Sequence, residues 1–264
     1  MKHSYDELAK MIDHSLLHPT MTDSELEEGC KLAAKYQVAS VCIKPYFVKR
    51  AAQLLKGTGV LVGAVIGFPH GSSSTEAKRY ETWLACQDGA SEIDMVINIG
   101  KALTGDWDYV ANDISAVCEE AHRHGAKVKV IFENDYLARG GAGMDSDALK
   151  QMLCVVSEQA GADWVKTSTG YGFVKQPDGN YNYRGATEHD LALMRASVSA
   201  KVQVKAAGGV RDLDGLIKVR DLGATRCGAT ATAAMLGEYR RREAAGTSGQ
   251  GADPAGSSIG TGGY

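Results

Sequence analysis

No run in this sequence approaches the ~18 consecutive apolar residues that a membrane-spanning helix requires. Neither sign of charge dominates: 29 Lys plus Arg stand against 32 Asp plus Glu, and a net charge of -3 gives no global attraction to nucleic acid or anionic lipid. The six cysteines, Cys30, Cys42, Cys86, Cys118, Cys154 and Cys227, have no C-x-x-C spacing and no scaffold density, which argues against a zinc site, a redox pair or a disulfide framework. They read as small core residues. H-E-x-x-H is missing among the seven histidines, and His122 with His124 falls at a helix end where the dipole accounts for them, so no metal is expected. G-x-x-x-x-G-K-[ST] and G-x-G-x-x-G are also missing, and no nucleotide cofactor is indicated. The first seven residues lack the apolar stretch of a signal peptide. These absences together leave a soluble, cytoplasmic protein acting on a small molecule, with no nucleic-acid or membrane partner.

What is present is an alternation. A chain of 264 residues accommodates two small domains or one α/β barrel. Tyr5 to Lys10 reads as a short amphipathic helix, Met11 to Leu17 as a strand, and Thr22-Asp23-Ser24-Glu25 as a capping box opening a helix with Leu26, Cys30 and Ala33 at helical spacing. A second strand, Val38 to Ile43, is stopped by Lys44-Pro45 and followed by a helical stretch from Tyr46 to Leu55. The third strand, Val60 to Phe68, leads to a helix from about Ser74 to Asp88 with Ala77, Tyr80 and Leu84 on one face. Glu92 to Ile99 is the fourth strand, and Trp107, Val110, Ile114, Val117 and Ala121 stripe the next helix. Val128 to Phe132 is the fifth, followed by the glycine-rich loop Gly140 to Gly143 and a helix bearing Leu149, Leu153, Val156 and Ala160. The sixth begins at Trp164; a polar insertion, Phe173 to Arg184, then precedes a helix started by Thr187-Glu188-His189-Asp190. Val202 to Ala207 and Ala224 to Cys227 complete the set. Eight mostly apolar strands alternating with helices require a parallel sheet covered on both faces, and a single (β/α)8 TIM barrel is the natural count. A doubly wound open sheet is the alternative, but it leaves two edges and no second domain.

The chemistry concentrates in Trp164-Val165-Lys166-Thr167-Ser168-Thr169-Gly170. A lysine at the end of a buried strand must be paired or lose its proton, and a neutral amine is a nucleophile toward carbonyls. Lys205 occupies the comparable place on the next strand, where two inward ammonium groups would depress each other's pKa. The other reading turns one or both lysines outward between the helices as solvated charges. Asp94 lies between Ile93 and Met95 in a strand buried on both faces, either as a salt bridge to Lys129 or Arg226 or as a proton relay beside the lysines. Asn98 and Glu133 also fall at strand ends. Ala207-Gly208-Gly209-Val210-Arg211 and Cys227-Gly228-Ala229-Thr230 end the last two strands, where backbone N–H groups can meet a phosphate or simply form tight turns.

This constellation resembles the class I deoxyribose-phosphate aldolases from about Ile12 through Leu236, through Val165 to Gly170, Lys205 to Arg211 and Glu92 to Asn98, with Ile12-Asp13-His14-Ser15 and Ser40 to Pro45 as further matches. The resemblance implies a (β/α)8 enzyme without metal or cofactor that interconverts 2-deoxyribose 5-phosphate with acetaldehyde and glyceraldehyde 3-phosphate. It implies Lys166 as the Schiff-base lysine, Lys205 as the group that lowers its pKa, Asp94 in the proton relay, and Thr169, Gly170, Gly208, Gly209, Gly228 and Thr230 around the substrate and its phosphate. Tyr171 stands where some relatives place a lysine, Lys44 replaces an asparagine, and Thr230-Ala231 stands where relatives often have paired small hydroxyl residues. These departures, with the Phe173 to Arg184 insertion, are expected at the phosphate and acceptor end. A Schiff-base aldolase or dehydratase for another sugar, and a non-catalytic phosphosugar-binding barrel, remain as alternatives. A homodimer is compatible with such a barrel. Residues 1–242 form the barrel in this reading, and 243–264 a flexible Gly/Ser-rich tail. Some relatives also end in a tail with a terminal tyrosine; here Tyr264 is either a chain end without a role or a phenol that enters the site transiently.

Overall fold

The computed structural model describes residues 2–246. Their elements are α1 (Tyr5–Ala9), β1 (Ile12–Leu16), α2 (Asp23–Tyr36), β2 (Ser40–Ile43), a 3-10 turn (Pro45–Phe47), α3 (Val48–Leu54), β3 (Leu61–Ile66), α4 (Thr75–Gln87), β4 (Glu92–Val96), α5 (Ile99–Thr104) and α6 (Trp107–Arg123). They continue with β5 (Lys127–Ile131), α7 (Asn134–Leu137), α8 (Ser146–Gln159), β6 (Trp164–Lys166), a hairpin of β7 (Val174–Lys175) and β8 (Tyr181–Asn182), α9 (Glu188–Ser197), β9 (Gln203–Ala207), α10 (Leu213–Asp221), β10 (Ala224–Ala229) and α11 (Thr232–Ala244). Eight parallel strands close in the order β1-β10-β9-β6-β5-β4-β3-β2, so the expected barrel is present and the open sheet is not.

Local chemistry sets the boundaries. Thr22 and Glu25 form the expected capping box at α2, and Ser4 with Glu7 forms another at α1. Asp145, Thr187 and Asp212 cap α8, α9 and α10 through their side-chain oxygens, each satisfying an N–H that the helix cannot. The fourth strand stops at Val96 rather than Ile99, because Asn98 leaves the ladder to accept from the Lys101 N–H at 3.1 Å and start α5. Glu243 and Ala244, counted with the tail by composition, belong to α11. The tail from residue 247 onward, Tyr264 included, lies outside the described residues.

One helix face differs from its expectation. In α4 the buried stripe is Thr75, Lys78, Thr82 and Ala85, whereas Tyr80 and Leu84 are exposed. Apolarity points to the wrong side because the inward residue is a lysine. Lys78 is fully buried, with Nζ 2.5 Å from Asp113 Oδ2 on α6 and 2.8 Å from the Val96 carbonyl oxygen. A paired charge occupies the place an apolar side chain would normally take.

Candidate active site

The strand alternation that aims Ile93 and Met95 at the helices aims Glu92 and Asp94 into the barrel. Across the interior, β1 contributes Asp13, β5 Lys129, β6 Lys166, β9 Lys205 and β10 Arg226. Lys166 and Lys205 are register partners on adjacent strands, both are buried and both reach Asp94, so neither turns outward. Asp94 Oδ2 accepts from both Nζ atoms at 2.7 Å, and its Oδ1 accepts from Lys129 at 3.0 Å. The salt-bridge and relay readings of Asp94 therefore describe one carboxylate holding three ammonium groups. Arg226 pairs instead with Asp13 at 2.6 Å and Glu92 at 2.6 Å, and Lys129 reaches Glu92 at 2.5 Å.

The two lysines are not equivalent, and the expectation of mutual depression needs correction. Lys205 lies 2.5 Å from Asp13 and 2.7 Å from Asp94; burial would lower its pKa, but the two carboxylates outweigh burial and raise it. Among the described residues Lys166 has Asp94 as its single carboxylate partner. Burial, with the charge of Lys205 added, outweighs that single carboxylate and holds Lys166 below the usual lysine value. Asp94 itself is held well below the carboxylate range, because Lys129, Lys166 and Lys205 overcome the effect of burial. Four cations thus face three carboxylates, and the cation with least carboxylate contact, Lys166, is the one best able to stay neutral.

Two further groups bound the amine. Cys42 on β2 places its Sγ 3.8 Å from Asp94 Oδ2, with its thiol pushed up to about 11 by burial and by that carboxylate. Glu133, at the end of β5 and in the left-handed region at φ 57, accepts from the Thr169 N–H at 3.2 Å and from the Thr169 hydroxyl. Burial pushes its carboxyl up to about 7. Ser168 Oγ is buried without a hydrogen-bond partner among the described residues, which leaves a hydroxyl for a bound molecule.

Beside this cluster, the loops after β9 and β10 enclose a cavity of about 400 Å3 lined by Gly208, Gly209, Arg211, Gly228, Thr230 and Tyr183, among others. Gly208 and Gly209 both have φ 84, a conformation that frees successive backbone groups to face the cavity. Among the described residues no side chain caps α11 at Ala231, which leaves its first-turn N–H groups to meet an anion. Four of the six expected substrate-binding residues line this cavity; Thr169 is turned to Glu133, and Gly170, at φ 86, makes the turn behind it. Tyr171 is not at the phosphate end. Its ring packs edge-on against Phe68 at 5.5 Å and lines a separate, mostly apolar cavity of about 350 Å3 with Leu17, Pro19 and Lys44 over the β1 to β3 loops. Asp13, Glu92 and Tyr183 carry no role in the sequence reading. Period-two spacing from Asp94 could have signalled Glu92; nothing local signals the others.

The DeoC/LacD family aldolase model matches residues 8–248. A protein of Rhodopirellula baltica named deoxyribose-phosphate aldolase is 51% identical over 240 residues, covering 91% of this chain and 92% of that one. One of Aciduliprofundum boonei with the same name is 42% identical over 230 residues, covering 87% and 96%. The tetrameric structure of deoxyribose phosphate aldolase from Aeropyrum pernix superposes with a TM-score of 0.77 at 28% identity, covering 90% of this chain and 92% of that one. With the match spanning the barrel and the charged cluster at its centre, the chain belongs to the DeoC/LacD family of aldolases.

Proposed function

We propose that this enzyme is a class I aldolase that reversibly cleaves 2-deoxy-D-ribose 5-phosphate to acetaldehyde and D-glyceraldehyde 3-phosphate. The observation that carries the reading is Lys166, a buried amine with a lowered pKa, sharing one carboxylate oxygen with a protonated Lys205 beside a cavity lined by two glycine-bearing loops and Arg211.

In this mechanism the Lys166 amine attacks C1 of the open-chain sugar, and loss of water leaves a protonated imine. Removal of the C3 hydroxyl proton breaks the C2–C3 bond, whose electron pair moves into the imine to form an enamine, while C3 leaves as the aldehyde of glyceraldehyde 3-phosphate. Protonation at C2 and hydrolysis then release acetaldehyde and the free lysine. Asp94, bonded to both lysines, passes protons at the amine and steadies its cationic forms. Lys205 stays charged and discourages protonation of Lys166. Gly208, Gly209, Gly228 and Thr230 hold the phosphate, with Thr169 and Gly170 shaping the loop that carries the nucleophile. Tyr264 keeps its place in the proposal as a phenol assisting proton transfer at the enamine. A homodimer acting in the cytoplasm completes the reading, and no helix among the described residues is long and apolar enough to cross a membrane.

Borohydride reduction with acetaldehyde, followed by peptide mass spectrometry, tests the reading. It expects an ethyl group on Lys166. An adduct on Lys205 instead reverses the roles, and no adduct with intact ligand binding favours a non-catalytic barrel. Product analysis from deoxyribose 5-phosphate separates this aldolase from one acting on another sugar.

A further inference from the structure

The insertion between β6 and α9 is a surface hairpin, yet one of its residues is buried. Tyr181 and Asn182 are exposed, while Tyr183, the next residue, is 5% exposed and lines the cavity of the β9 and β10 loops. Its place is fixed from several directions. Asp135 accepts from the Arg184 and Gly185 N–H groups at 2.7 and 2.9 Å, and the Ala186 N–H donates to the Gly208 carbonyl at 3.1 Å. At the other end of the hairpin, the Tyr136 hydroxyl donates to the Phe173 carbonyl at 3.4 Å, and the Phe173 ring meets Tyr183 edge-on at 5.3 Å. A ring held by its backbone and neighbours is already ordered before a ligand arrives.

The orientation of that ring matters. A Cβ added at Gly208 would stand 3.2 Å from Tyr183 Cε2, the ring carbon adjacent to the one bearing the hydroxyl. The phenol end therefore lies over the glycine loop. A Cβ on Gly185 would meet the Gly208 carbonyl carbon at 2.7 Å, so the hairpin base and the glycine loop touch backbone to backbone. The cavity needs donors: a phosphoryl dianion presents three terminal oxygens, and Arg211 is the one cationic side chain among the lining residues. Tyr171, the first residue after the motif glycine, lines the separate cavity over the β1 to β3 loops instead.

We propose that Tyr183 is a specificity-determining residue, delivered by the 173–184 hairpin so that its hydroxyl donates to the phosphoryl group of the substrate and its ring closes the cavity over it. The proposal rests on the phosphosugar reading and adds a residue and an element to it.

The test compares the full-length enzyme with Tyr183→Phe and Tyr183→Ala, using Tyr181→Phe as a control on the same hairpin. The quantity read is the ratio of kcat/KM for deoxyribose 5-phosphate to that for deoxyribose. Loss of a hydrogen bond to a charged oxygen should lower this ratio about tenfold or more in Tyr183→Phe, through KM, with Tyr181→Phe like the parent. Competition by inorganic phosphate should weaken in parallel. An unchanged ratio in Tyr183→Phe, or an equal loss on both substrates, overturns the proposal. If the parent enzyme cleaves neither sugar, the functional reading fails by itself. Calorimetric titration with inorganic phosphate then decides the role of Tyr183: weaker binding in Tyr183→Phe supports it, and equal binding removes it.

Discussion

Replacing Lys205 with methionine should turn the nucleophile off at neutral pH without removing it. In the parent, Asp94 Oδ2 stands 2.7 Å from both Nζ atoms. Two cations sharing one oxygen are about 5 Å apart, and at an effective dielectric constant of ~20 their repulsion is about 3 kcal/mol, on the order of a hundredfold in the population of neutral Lys166. The charge count agrees. Without Lys205, the cations Lys129, Lys166 and Arg226 exactly match the carboxylates Asp13, Glu92 and Asp94, so the cluster becomes neutral with Lys166 protonated. The assay is the rate of borohydride-trapped adduct formation with acetaldehyde as a function of pH. Only the neutral amine reacts, so the variant's rate should fall about a hundredfold at neutral pH and recover as pH is raised. The adduct should stay on Lys166. A variant whose pH profile matches the parent's would refute electrostatic tuning by Lys205, and trapping lost at every pH would mean that Lys205 is itself the nucleophile.

Three other outcomes follow from the same geometry. Burial raises the Glu133 carboxyl from 4.5 to about 7, so the folded state holds a proton that the unfolded state has released. Stability from this group is full below the unfolded value and is lost as pH rises through about 7, by on the order of 3 kcal/mol. Glu133→Gln should flatten that part of the profile in denaturant titrations between pH 4.5 and 8, and an equal slope in both proteins would count against it. Asp135→Ala should release the hairpin base, with proteolytic nicking inside residues 173–184 rising and KM for the 5-phosphate rising with it; unaltered nicking would show that Asp135 is no clamp. Lys78→Met strands the Asp113 carboxylate and should cost about 3–5 kcal/mol by urea unfolding. The double change Lys78→Met, Asp113→Leu should recover much of it, and failure to recover would place the cost in packing instead.

The barrel was legible because its evidence is local and repeated. Strands such as Val62 to Ile66 are apolar throughout, and caps such as Thr22 with Glu25 act within one turn. Lys166 and Lys205 could be turned inward by argument because each sits in an otherwise buried strand. Their inequality was not legible. It depends on Asp13, which meets Lys205 from 192 residues away, and no spacing rule links them. Apolar spacing points to the wrong face of α4 because Lys78 is buried by a partner on another helix. Tyr183 carries no local signal within its polar insertion, since only the fold shows that one residue of an exposed hairpin turns into the cavity.

The shared carboxylates have a consequence for how this barrel can be reshaped. Asp13, Glu92 and Asp94 each serve at least two cations, so exchanging any one of these three carboxylates for a neutral residue leaves cations uncompensated elsewhere in the ring. Substitutions there will be strongly epistatic, tolerated in sets and rejected singly. The hairpin, by contrast, joins the barrel through a few hydrogen bonds, from its base to Asp135 and the Gly208 carbonyl and from the Tyr136 hydroxyl to the Phe173 carbonyl. A library seeking new acceptor aldehydes therefore has its free variables in residues 173–184, while the interior strands behave as a single inherited unit.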